Sequence, residues 1–269
     1  MRLVLLSLAL FAFKHNSVEC ARCLYGDLPG HFLHMRALMP PGQNYQLFSA
    51  NCQLGDKIKP YLDHSERSPK RIAFVGDVSD AHLVRYACDL FKTNITQSEH
   101  MLSCKTESGL ELYHVLLTHG TRKEDSQKLK HLYDHFTRER VKPDLLVFSS
   151  FYWALNNYIR GAPDDMYMLT YHQIEHYIAI NTDLIHAARR LFPLTRIVAH
   201  NAVDAGSPNR RAHTAQLNSA LRHIVHASAV ELVDYELASA AFAPETLLSD
   251  GVNPKAFFLL EMMNVLLHI

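Results

Sequence analysis

Four short clusters hold the chain's chemically capable side chains: Gly76-Asp77-Val78-Ser79, Ser149-Ser150, His200-Asn201 and Asp250-Gly251-Val252-Asn253. A serine hydroxyl attacks an acyl carbonyl once a base takes its proton, and histidine is the side chain whose proton affinity lies nearest neutral pH. A carboxylate can orient and charge that histidine. On residue type alone, Ser79 is the candidate nucleophile, His200 the candidate base and Asp250 the candidate orienting group. Each also has a structural reading. Ser79 and Asp80 are good N-caps for a following helix, His200 suits a hydrogen-bonded structural role, and Asp250-Gly251 is a turn signal. The aromatic run Phe151-Tyr152-Trp153 suits stacking on the apolar face of a sugar ring or packing beneath a sheet. His172 and His176 share helical i,i+4 spacing next to Glu175, but the order is not the metalloprotease His-Glu-x-x-His. Such a pair arises easily among 18 histidines. His223 and His226 are no more specific, and no metal site is expected.

These clusters need a scaffold that brings distant loops together. Arg71–Asp77 is a short apolar run ending in Gly-Asp, which reads as a buried strand entering a turn, followed by a helix to about Lys92. Leu110–Leu117, Pro143–Ser149, Thr195–Ala199 and Val230–Asp234 are four more strand candidates. Between and after them, helices are expected over Lys123–Arg140, Met168–Phe192 and Asn209–His226, with a last one from Pro254. The run Phe257–Ile269, interrupted by Glu261 and Asn264, reads as amphipathic. Strands alternating with helices imply parallel β-α-β units, whose ligands bind at the carboxyl ends of the strands. The four clusters fall at or near that edge.

The 27 basic and 27 acidic side chains cancel, which argues against a nucleic-acid partner, since that needs a basic face. Arg2, an apolar run from Leu3 to Phe13 and then Lys14-His15-Asn16 read as a secretory signal peptide. As a helix the run would span only ~16 Å, short of a bilayer core of ~30 Å. Val18 and Cys20 suit cleavage before Ala21, and no later segment is long enough to span a membrane. The expected organisation is a signal over 1–20, an irregular cysteine-bearing arm over 21–69 and a main domain over 70–269. After cleavage four cysteines remain, Cys23, Cys52, Cys88 and Cys104, an even number that suits disulfides in an oxidising compartment. Three pairings are possible, and the nearest-neighbour one is Cys23–Cys52 with Cys88–Cys104. Asn94-Ile95-Thr96 is an acceptor site for N-glycosylation. Together these place the protein outside the cell or in the secretory lumen.

The order of the motifs resembles the SGNH/GDSL hydrolases, and most closely their PC-esterase branch of trichome-birefringence-like acyl esterases and acyltransferases. The resemblance runs over roughly residues 70–269. The family's strand–Gly-Asp-Ser–helix stands here as Phe74-Val75-Gly76-Asp77-Val78. Its Ser-Gly-x-Trp-like turn stands as Val147-Phe148-Ser149-Ser150-Phe151-Tyr152-Trp153, and its Asp-Gly-x-His-Pro as Asp250-Gly251-Val252-Asn253-Pro254. The resemblance implies a flavodoxin-like three-layer α/β/α sandwich with a parallel five-stranded sheet. It also implies an acyl-ester cleft lined by Gly76, Asp77, Ser149, Ser150, Phe151, Trp153 and Asn201, with no cofactor.

At the positions that carry the family's chemistry the chain departs from the pattern. Val78 stands where the nucleophilic serine belongs and Asn253 where the base belongs, and Phe151 replaces a glycine of the oxyanion site. Valine has no lone pair to attack with, and an amide is no base near neutral pH. Loss of such a pair lowers turnover by about 10⁶-fold in a Ser-His enzyme. The expectation is a catalytically degenerate member whose cleft holds a carbohydrate, an acylated glycan or a protein partner. Two alternatives stand beside it. One is an active carbohydrate O-acyl esterase or acyltransferase with catalysis relocated to Ser79, His200 and Asp250. The other is an interaction protein that works through its surface.

Overall fold

The computed structural model describes residues 32–35, 47–49, 57–66, 68–99, 101–118, 122–160, 168–203, 208–239, 247–249 and 253–269. The expected signal segment, Cys23, Cys52 and Asp250 lie outside the described residues. Within the arm that the sequence reads as irregular, β1 (Phe32–Met35) and β2 (Leu47–Ser49) pair antiparallel, and α1 (Lys59–Leu62) is a single turn.

The main domain runs β3 (Lys70–Gly76), α2 (Val78–Leu90), β4 (Thr96–Gln97), β5 (Leu102–Lys105), β6 (Leu110–Leu116) and α3 (Arg122–Arg138). It continues through β7 (Leu145–Phe148), α4 (Tyr152–Ile159), α5 (Tyr171–Leu191), β8 (Arg196–His200), α6 (Pro208–Ala227), β9 (Glu231–Val233) and α7 (Tyr235–Ser239). It ends in α8 (Ala256–His268). The seven strands of its sheet lie in the order β4-β5-β6-β3-β7-β8-β9. β6, β3, β7, β8 and β9 are mutually parallel, while β5 adds antiparallel to β6 and β4 to β5. Counted along the chain, the parallel strands stand in the order 2-1-3-4-5, the flavodoxin-like arrangement. The expected five-stranded parallel sheet is therefore present, extended at one edge by the short β4–β5 hairpin. At the β5–β6 turn Gly109 has φ +92°, a conformation that costs glycine nothing.

Alternating residues of β3 explain the layering. Ile72 and Phe74 pack with α2 and α8 on one face of the sheet, and Ala73 and Val75 pack with α3, α5 and α6 on the other. One correction concerns α8. It is not amphipathic: every residue from Phe258 to Leu267 is buried, Glu261 and Asn264 included. Asn264 Oδ1 accepts the Lys57 backbone N–H at 2.7 Å, and the Lys70 ammonium donates to the Leu267 carbonyl at 2.9 Å. These contacts let a polar residue and the helix C-terminus sit in the core without unmet hydrogen bonds. Cys88 on α2 and Cys104 on β5 form a disulfide, one of the two bonds in the nearest-neighbour pairing.

Candidate functional site

The chain leaves β3 at Gly76 and turns into α2 at Asp77, which has extended geometry and is the helix N-cap. Asp77 forms a reciprocal capping box with Asp80, so neither Ser79 nor Asp80 is the cap that the sequence suggested. A second helix uses the same carboxylate. The N–H groups of Phe151 (2.8 Å), Tyr152 and Trp153 (3.3 Å) all donate to Asp77, because Phe151, at the N-cap of α4, offers no side-chain cap. Asp77 thus clamps the N-termini of α2 and α4. Burial, reinforced by the nearby Asp80 charge and opposed by these donors, pushes its pKa up to about 6.

Beneath this turn lies a buried polar cluster. Asp80 Oδ1 meets His200 Nε2 at 2.7 Å, and Asp80 Oδ2 accepts from the Ser149 hydroxyl and from the Asp77 N–H. Ser149 Oγ in turn accepts the Asp77 N–H at 3.0 Å. His200 Nδ1 lies 3.0 Å from the Asn201 carbonyl, which can only accept. Both ring nitrogens therefore face oxygen acceptors, and a doubly protonated imidazolium fits the site. Burial would lower the His200 pKa, but the Asp80 charge and hydrogen bond outweigh it and raise it; the same pair, against burial, holds Asp80 low. The His200 ring lies flat on the Tyr235 ring, centroids 4.1 Å apart and planes 14° apart. On the β6 side, His114 Nε2 contacts the Asp77 carbonyl at 3.0 Å, and burial lowers its pKa.

Gly76 makes this cluster possible. A Cβ there would collide with Asp80 Oδ2 and Ser149 Oγ, so its bare Cα is needed for close approach rather than for an unusual φ.

Above the cluster a narrow cleft opens at the carboxyl edge, between the first and third parallel strands in chain order, where such sheets bind ligands. Asp77, Ser79, Ser149, Phe151, His200, Asn201 and Asn253 all line it. Position 253 therefore reaches the same cleft as the β3–α2 turn, although Leu248–Asn253 lies far along the chain. Its water-accessible volume is about 30 Å³, room for roughly two water molecules. Gly76, Val78, Ser150 and Trp153 are not among the lining residues.

The roles of the lining side chains differ from the expectation. The Ser149 hydroxyl is committed to Asp80. The Asn201 amide is committed too: it donates to Asp234 at 2.6 Å and accepts the Glu236 N–H at 3.1 Å, tying β8 to α7. Arg222 completes that tie by bridging Asp234 and Glu236. Ser79, half-buried on the first turn of α2, has no hydrogen bond among the described residues, and the Tyr235 hydroxyl is buried without one. The Asn253 carbonyl accepts from Ser249 N–H and Oγ. Away from the cleft, His176 Nδ1 pairs with the Tyr158 hydroxyl at 3.0 Å, and His172 is exposed beside Glu175.

His114 and Tyr235 are residues of this cluster that the sequence did not single out, and Asp80 was read only as a helix cap. A signal existed for Asp80, since an acidic residue three places after an Asp N-cap is the capping-box pattern.

No protein-family model and no curated protein matches the chain. Solved structures do resemble it. An acetyl-xylooligosaccharide esterase variant from Geobacillus stearothermophilus is 14% identical, with a TM-score of 0.46, over 75% of this chain and 94% of that one. A lipase/acylhydrolase from Enterococcus faecalis is 13% identical, with a TM-score of 0.45, over 74% and 93%. A carbohydrate esterase of family 3 from Talaromyces cellulolyticus is 14% identical, with a TM-score of 0.43, over 72% and 94%. With TM-scores below 0.5, the architecture rests on the strand order and register above. The chain is similar to these esterases, and the similarity reaches no further than the fold.

Proposed function

We propose that this is a secretory-pathway protein of SGNH/PC-esterase-like design that no longer catalyses acyl transfer, its cleft holding a glycan or a partner segment. The observation that carries this reading is the setting of His200. Its Nε2 meets the Asp80 carboxylate and its Nδ1 the Asn201 carbonyl, neither of which can donate, so the ring offers no free lone pair to take a nucleophile's proton. The other supports are independent of it. By the motif resemblance, Val78 stands at the nucleophile position and Asn253 at the base position. The N-terminus of α4, whose N–H groups would suit an oxyanion, is filled by the chain's own Asp77 carboxylate. The Cys88–Cys104 disulfide suits an oxidising compartment.

The decisive experiment restores the missing groups. Val78→Ser with Asn253→His, assayed on p-nitrophenyl acetate and acetylated xylooligosaccharide, tests whether the β3–α2 turn can present residue 78 to a cleft now lined by Ser79 and Asn253: turnover that neither single variant nor the parent has shows that it can. A double variant that folds and stays inert contradicts an inherited esterase geometry. The second reading, a relocated esterase, is favoured by one observation: the Ser79 hydroxyl lines the cleft with no hydrogen-bond partner among the described residues. Under that reading the unaltered chain hydrolyses these esters and Ser79→Ala abolishes the activity.

A further inference from the structure

A larger water-accessible space than the cleft lies away from it, in a groove of about 540 Å³ between α1 and the C-terminal end of α2. Its lining mixes polar and apolar side chains. Leu62 is one of the few large hydrophobic side chains left exposed, at 36%, and Leu90 and Phe91 lie beside it, partly buried against the core. The polar side chains include Lys92, Glu107 and Asn94 itself. A mixed lining of this kind suits a pyranose ring, which offers C–H groups on its face and hydroxyls around its edge.

Asn94 is held in place relative to this groove. Phe91 caps α2, the Thr93 N–H donates to the Cys88 carbonyl, and Thr93 Oγ1 donates to the Lys105 carbonyl at 2.7 Å. The Cys88–Cys104 disulfide joins the same two segments. Ile95 packs against the core, while Asn94 and Thr96 are exposed, and the Asn94 amide makes no hydrogen bond among the described residues. The acceptor sequence is thus complete, accessible and rigid.

We propose that Asn94 carries an N-linked glycan whose first N-acetylglucosamine units fold back into this groove over Leu62 and Phe91, fastening α1 to the main domain. In the transfer, Asn94 Nδ2 bonds to the anomeric carbon of a lipid-diphosphate-linked oligosaccharide. The amide loses a proton and the lipid diphosphate leaves; the host's transferase does the chemistry. The proposal uses the secretory route but is independent of the cleft.

The test uses the full chain secreted from eukaryotic cells. Intact-mass analysis is expected to show a glycan that Thr96→Ala removes. The glycosylated chain, and the chain trimmed to a single N-acetylglucosamine, are expected to melt roughly 2–4 °C above Thr96→Ala and to show slower amide exchange in residues 59–62. In Leu62→Asp, where an apolar side chain of the lining becomes charged but the surface position tolerates the change, that difference is expected to vanish. An unmodified Asn94 in the secreted chain overturns the proposal. So do equal melting and equal exchange with and without the sugar, or a Leu62→Asp chain that keeps the full difference.

Discussion

Asp80 and His200 lie 120 residues apart in the chain, yet His200 Nε2 stands 2.7 Å from Asp80 Oδ1, with both side chains almost fully buried. The pair joins the first turn of α2 to the end of β8 and sets the charge state at the base of the cleft. Because the other His200 nitrogen faces a carbonyl, the pair holds a proton that a catalytic base would have to release.

Breaking the pair from one side leaves a buried charge without its partner. Asp80→Asn is expected to lower unfolding free energy by about 3–5 kcal/mol, read from urea denaturation. A loss below ~1 kcal/mol would show that His200 does not depend on Asp80.

The two buried histidines should titrate in opposite directions, as nitrogen chemical shifts can follow. His200, with its pKa raised, contributes stability that is complete below about pH 6.5 and is lost as pH rises through its folded value. His114, with its pKa lowered, stays neutral in the folded chain, so its environment costs stability as pH falls below about 6.5. As pH rises, His200 should keep both ring protons to a higher pH than a free histidine, and His114 should lose its second proton at a lower one. A His200 that loses its second proton no later than a free histidine would contradict the assignment.

Asp77 should protonate near pH 6, where free aspartate is fully ionised. Its raised pKa means that the folded chain binds the extra proton between about pH 4 and 6, so this group favours folding less as pH rises through that window. Carbonyl-carbon titration of Asp77 is expected to show a midpoint well above 4, and a midpoint at or below 4 would show that the N–H donors outweigh burial.

Gly76→Ala places a methyl group against Asp80 Oδ2 and Ser149 Oγ, both committed to the cluster. A cost of about 1–3 kcal/mol is expected from thermal or urea unfolding, together with loss of the His200 imidazolium signal. A variant as stable as the parent would mean that the turn moves freely.

The Cys88–Cys104 disulfide closes a loop of 16 residues. Replacing both cysteines with alanine is expected to cost about 3 kcal/mol, measured against the oxidised parent in denaturant. No loss in the double variant would contradict a structural role for the bond.

The five parallel strands were legible because each is a short apolar run bounded by a turn signal, as in Arg71–Asp77 and Pro143–Ser149. The β4–β5 hairpin was not, since Thr96–Gln97 is exposed and only two residues long and carries no periodicity. α8 was misread because Glu261 and Asn264 look like a polar face until Lys57 is seen to arrive from the other end of the chain. In the site, the convergence of Asp77, Ser79, His200 and Asn253 followed from the strand-edge rule. The Asp80 pairing and the Tyr235 stack did not, because they depend on contacts between distant segments that local spacing does not encode.

The claim that the cleft is chemically inert is tested most directly by incubating the full chain with p-nitrophenyl acetate across pH 5–9. The account predicts release of p-nitrophenol at the rate of the protein-free blank, at every pH. Saturable release that disappears in Ser79→Ala would contradict it.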